Sequence, residues 1–117
     1  MTESQVLDQQ ALAELKEMMG SDFPLLLQTY FEDAQQQLAA MEQALQQHQA
    51  EALRQAAHSF KGSCANMGAQ VLAKACFELE RTAQAENWSA LERCFSEIQT
   101  EYPRVKALLT EGAGEGF

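Results

Sequence analysis

Residues 23–45 read FPLLLQTYFEDAQQQLAAMEQAL, and their apolar spacing decides the fold. Leu27, Tyr30 with Phe31, Ala34, Leu38, Met41 and Leu45 recur at intervals of three and four. A helix turns about 100° per residue, so this spacing lines them up along one side, as in the seam of a helical bundle. Ser21 or Asp22 can cap such a helix. Pro24 falls in its first turn, where a missing N–H does no harm. The pattern predicts one long helix running to about Gln47.

The same period recurs on either side. Upstream, from about Ser4 to Met19, Leu7, Leu12, Leu15 and Met18 or Met19 share one side, and Gly20 ends the segment. Downstream, QHQAE at 47–51 is a poor turn by composition, but the apolar phase restarts at Leu53. A third helix then carries Leu53, Ala56 with Ala57, Phe60, Cys64 and Met67, with Gly68 as its stop. A fourth carries Leu72, Ala75 with Cys76, Leu79 and Ala83. ENWS at 86–89 offers Asn87 or Ser89 as the next cap. A fifth helix follows with Leu91, Phe95, Ile98, Tyr102, Val105 and Leu109.

Pro103 interrupts that last pattern. An interior proline costs about 3 kcal/mol and usually ends or kinks a helix, yet the seam keeps its phase across it, which predicts a kinked continuation. No stretch alternates with the β-branched enrichment of a strand. Helices joined by such short breaks run antiparallel to their neighbours. The expected fold is all-α: an up-down-up-down antiparallel four-helix bundle with a short N-terminal cap helix. It occupies residues 1–110 as one domain, and EGAGEGF at 111–117 is expected to be a disordered tail.

Composition narrows the function. A chain of 117 residues makes one domain, and 46% apolar residues can fill its core. The formal net charge of −9 argues against binding nucleic acid through its phosphates and against anionic membranes. The sequence shows neither a signal peptide nor an apolar run near the roughly 20 residues of a membrane helix. Cys64, Cys76 and Cys94 each fall on an apolar stripe, without metal-binding spacing. They are expected to be small buried hydrophobes in a reducing, cytoplasmic setting.

The chemistry is carried by AHSFKGSC at 57–64. Taking His58 as zero, Phe60 lies about 200° round the helix, whereas Arg54, Lys61, Gly62 and Ala65 all lie within about 60° of it. Phe60, Leu53 and Met67 mark the core side, so His58 faces solvent in a locally basic stripe. The stripe is bare toward its C-terminal end, with Gly62 and Ala65, and with Ser63 and Ala69 close by. Glycine on an exposed helix face costs roughly 0.5–1 kcal/mol against alanine, and close approach of a partner is a reason to keep it. His48, in the loop after the second helix, matches no motif and is expected to be incidental. Trp88 is expected to pack the loop that precedes the fifth helix.

AHSFKGSCANMG at 57–68 resembles the motif of histidine-containing phosphotransfer (Hpt) domains, roughly A-H-x-L-K-G-S followed by small residues and a closing glycine. Ala57, His58, Lys61, Gly62, Ser63 and Gly68 stand at its positions, and Phe60 replaces the commoner leucine. LLLQTYFEDAQQQLAAMEQAL, LAKACFELE and EYPRVKALL are also similar to their family counterparts, so the resemblance spans roughly residues 5–110. It implies a phosphorelay protein, of the stand-alone bacterial kind that an opening Met1 suits. Such a protein accepts a phosphoryl group on His58 from a receiver-domain aspartate and passes it to another. Its partners would be the receivers of a hybrid sensor kinase and of a response regulator. It would be a monomer with no kinase activity and no cofactor, Mg²⁺ being expected only on the receiver. Lys61 would stabilise the phosphate, and Gly62, Ala65 and Ala69 would meet the receiver. Glu80 matches a family position that holds a polar side chain, often Gln, against the imidazole. Ser63 would donate a hydrogen bond or cap local backbone, and Arg54 would add positive field or pair with a surface acid. The competing expectation is a helical adaptor that binds a partner through the His58 face without being phosphorylated. A small general-base enzyme is disfavoured by the absence of a pocket in the pattern.

Overall fold

The computed structural model describes residues 6–115. Helix α1 spans Gln9–Met19, a 3₁₀ turn covers Gly20–Asp22, and α2 runs Phe23–Gln46. Then follow α3 at Ala50–Asn66, α4 at Gln70–Gln84 and α5 at Trp88–Glu115. No strand occurs among the described residues. Helix α3 packs on α2 and α4, α4 on α5, and α5 closes back on α2. The result is the antiparallel four-helix bundle, with α1 laid against the start of α2.

The predicted seams meet at the centre. Tyr30, Ala34 and Met41 of α2 face Leu53, Ala57, Phe60 and Cys64 of α3, Leu72, Cys76, Leu79 and Ala83 of α4, and Leu91, Ile98, Val105 and Leu109 of α5, all of them buried. Burying each large side chain contributes roughly 1.5–3 kcal/mol, so the aligned seams are what hold four helices in one register. Tyr30, Phe60 and Tyr102 form an aromatic cluster with centroids 6.0–6.4 Å apart. The three cysteines are buried and free, and Cys64 Sγ lies 3.3 Å from the Tyr30 hydroxyl.

The three connections between the bundle helices share one form. Residues 47–49, 67–69 and 85–87 each hold a central residue in the left-handed region: His48 at φ 53°, Gly68 at 76° and Glu86 at 53°. Gln49 N donates to Ala44 O, Ala69 N to Cys64 O and Asn87 N to Thr82 O. This six-to-one bond closes a Schellman cap and satisfies helix-end carbonyls. It explains why QHQAE turns without glycine: the hydrogen-bonding pattern imposes the conformation on His48. His48 also has a structural role, since its ring stacks on Trp88 at 4.6 Å and ties this connection to the start of α5. Asn87 then caps α5, accepting from Ala90 N.

Helix α1 begins at Gln9, where Asp8 caps it by accepting from Ala11 N at 3.0 Å. The expected start at Ser4 lies outside the described residues. Asp8 N also donates to Gly68 O at 2.8 Å, which docks the cap helix on the α3–α4 turn. Helix α5 continues through Pro103, as its seam predicted. It also continues to Glu115, so residues 111–115 of the expected tail are helical, while 116 and 117 lie outside the described residues.

Candidate functional site

Helix α3 carries the predicted stripe, and its second half turns core residues inward at Phe60 and Cys64. That phase puts the His58 side chain outward, 63% exposed. Glu80, on α4, comes up beside it with its side chain only 13% exposed. The two helices run antiparallel, so one residue of α4 can touch two successive turns of α3. Glu80 does so. Its Oε2 lies 2.8 Å from His58 Nδ1, and its Oε1 accepts from Lys61 Nζ at 2.8 Å.

Electrostatics fix the protons. Burial pushes the Glu80 carboxyl up, but the Lys61 and His58 hydrogen bonds outweigh it and hold it below the ordinary carboxylate range. The group is therefore an anion at neutral pH, able only to accept. His58 Nδ1 must then carry the hydrogen of this contact, so in the neutral ring the lone pair lies on Nε2, the nitrogen remote from Glu80.

The other predicted residues divide. Arg54 pairs chiefly with Glu51, donating from Nη2 at 2.6 Å and from Nε at 2.9 Å, and stands 3.8 Å from Glu80. Ser63 faces α2, donating to Asp33 Oδ2 at 3.1 Å, with the Ser59 carbonyl at 3.4 Å. Gly62 and Ala65 are exposed. A Cβ added at Gly62 would meet nothing within 4 Å, so no contact among the described residues requires glycine there. Ala69 corrects the expectation that it meets a partner. It is 0% exposed, because the Schellman cap that uses its N–H turns its methyl into the core.

Sequence reasoning missed Phe77. This ring is 42% exposed on α4, with Lys61 Nζ 5.1 Å and the Arg81 guanidinium 5.7 Å from its centroid. Its signal was its phase: an aromatic out of step with the Cys76, Leu79 and Ala83 stripe. A groove of about 570 Å³ between α4 and α5, lined by Val71, Ala75, Thr100 and Glu101 among others, contains none of these residues. The His58 cluster is an open surface, suited to meeting a macromolecule rather than enclosing a small substrate. Among the described residues, no cluster of His, Cys, Asp or Glu could hold a metal ion, and no helix is long and apolar enough to cross a membrane.

Residues 25–108 match the Hpt domain family. The chain belongs to that family. Its fold superposes on histidine-containing phosphotransfer protein B (HptB) of Pseudomonas aeruginosa PAO1 with a TM-score of 0.90, at 36% identity over 94% of this chain and 96% of that one. A rice protein described as a histidine-containing phosphotransfer protein matches with a TM-score of 0.83 over 94% of this chain and 82% of that one. At 16% identity it shares the fold. No curated protein matches the sequence. Hpt domains are phosphotransfer carriers that meet receiver domains, and this chain is a phosphorelay intermediate of that kind.

Proposed function

We propose that His58 is the residue on which this phosphorelay intermediate carries its phosphoryl group. The supporting observation is the His58–Glu80 contact at 2.8 Å, which holds the proton on Nδ1 and leaves Nε2 exposed. The Nε2 lone pair attacks phosphorus in line. An N–P bond forms, the P–O bond to the receiver's aspartate breaks, and the carboxylate leaves with the electron pair. The ring keeps its Nδ1 proton and becomes cationic, with the Glu80 anion beside it. Passing the group to a second receiver reverses these steps.

Such transfer depends mainly on positioning and electrostatics. Lys61 has three N–H donors, one of them on Glu80, and turns others toward the phosphoryl oxygens. Gly62 and Ala65 leave room for the receiver's surface. Ser63, held by Asp33, ties α3 to α2, and Arg54 serves mainly as the partner of Glu51. The chain has no kinase activity of its own and needs no cofactor, any Mg²⁺ being the receiver's. It works as a cytoplasmic monomer between the receivers of a hybrid sensor kinase and of a response regulator.

The test is transfer of radiolabelled phosphate from a phosphorylated receiver domain. Wild-type chain takes up acid-labile, alkali-stable label, and His58→Gln takes up none while its helical circular dichroism is unchanged. Equal labelling of the two proteins would refute the proposal.

A further inference from the structure

Among the described residues, Phe77 is one of three large hydrophobic side chains that stand exposed, with Met18 and Leu25, and it alone of the three joins the His58 cluster. Two cations cover it. Lys61 sits 5.1 Å and Arg81 5.7 Å from the ring centroid, within the range of cation–π attraction. Lys61 is shared, because the same ammonium donates to Glu80 at 2.8 Å. A phosphoryl group on His58 brings two to three anionic oxygens beside that ammonium. A charge-assisted hydrogen bond to phosphate is stronger than the attraction of a half-exposed ring.

We propose that Phe77 is the apolar anchor by which this chain holds a receiver domain, and that phosphorylation of His58 uncovers it by drawing Lys61 toward the phosphoryl group. The occupant follows from the surroundings. The face carries Lys61, Arg54 and Arg81, three of the eight Lys and Arg of a chain whose net charge is −9, and these offset Glu80, Glu51 and Glu78 beside them. Transfer requires the partner to bring an aspartate carboxylate against the same face, so the cations complement it. Exposed Gly62 and Ala65 leave space beside an aromatic that projects. Aromatic anchors ringed by polar groups carry much of the binding energy of protein interfaces. The inference rests on His58 being the phosphorylated residue. It adds that the phosphorylated and free forms present different surfaces, so a receiver can tell the loaded carrier from the empty one.

The experiment begins with wild-type chain treated with phosphoramidate, an N–P donor that needs no receiver. Failure to label His58 would overturn the phosphorylation site and this inference with it. With His58 labelled, transfer to a receiver domain that accepts from wild type is followed against receiver concentration. Phe77→Ala is expected to raise KM about tenfold and change kcat less than twofold. An unchanged KM, or a fall in kcat at unchanged KM, would overturn the anchor while leaving His58 intact. By NMR, the Lys61 Hε resonances, shielded by the Phe77 ring, are expected to move downfield when His58 is phosphorylated. Resonances that stay in place would overturn the uncovering.

Discussion

At Glu80 one carboxylate serves two donors, His58 Nδ1 and Lys61 Nζ. Replacing it with Ala frees the imidazole to take either tautomer and removes a charge-assisted bond worth about 1.5–3 kcal/mol. If that support is needed at the transition state, phosphoryl uptake slows at least about tenfold. Glu80→Gln keeps an acceptor and is expected to lose less. Rates equal to wild type for both variants would remove Glu80 from the mechanism. The folded carboxyl lies below its ordinary value of 4.5, so its contribution to stability is fully present above that pH and is lost as pH falls through the depressed value. The Tm gap between wild type and Glu80→Gln is therefore expected at pH 7 and should shrink below pH 4; a gap of constant size would contradict the linkage. Sequence phase placed His58, Lys61, Gly62 and Ala65 on the exposed face. Glu80 was reached through family resemblance, because no local pattern tells that a residue 22 positions away will sit beside an imidazole. Ala69 was misplaced because helical phase was extended past the end of α3, where the chain reverses.

The elements were legible wherever apolar residues keep a helical period, and their ends were legible only in part. Gly68 announced its turn, but His48 and Glu86 occupy the same left-handed position without the residue that favours it. A non-glycine residue there costs roughly 1–2 kcal/mol, so Glu86→Gly is expected to stabilise the bundle by about 1 kcal/mol in urea unfolding. Gly68→Ala should do the reverse and by more. It combines φ 76° with an added Cβ only 3.2 Å from the Asp8 carbonyl oxygen, beside the Asp8 N–Gly68 O hydrogen bond that anchors α1. Loss of stability in Glu86→Gly, or a neutral Gly68→Ala, would show that the caps are not set this way. The Tyr102 hydroxyl is buried without a hydrogen-bond partner, so Tyr102→Phe should be neutral or stabilising by up to about 1 kcal/mol; a large loss of stability would contradict that. Pro103 breaks no seam because Tyr102 and Val105 on either side of it both pack inward.

For the whole molecule, the bundle acts as a rigid support. Core residues of α3 and α4 hold two surface turns and one α4 carboxylate at hydrogen-bonding distance, and the reacting atom faces outward. The seams fill one another within a single chain, so light scattering should give about 13.0 kDa at tens of micromolar, and a doubled mass would contradict the proposed monomer. The tautomer of His58 is the central claim, and heteronuclear NMR of the phosphorylated protein tests it most directly. Phosphorus is expected to couple to Nε2 of His58 while Nδ1 keeps its hydrogen. Coupling to Nδ1, to a nitrogen of His48, or to no nitrogen at all would contradict the account.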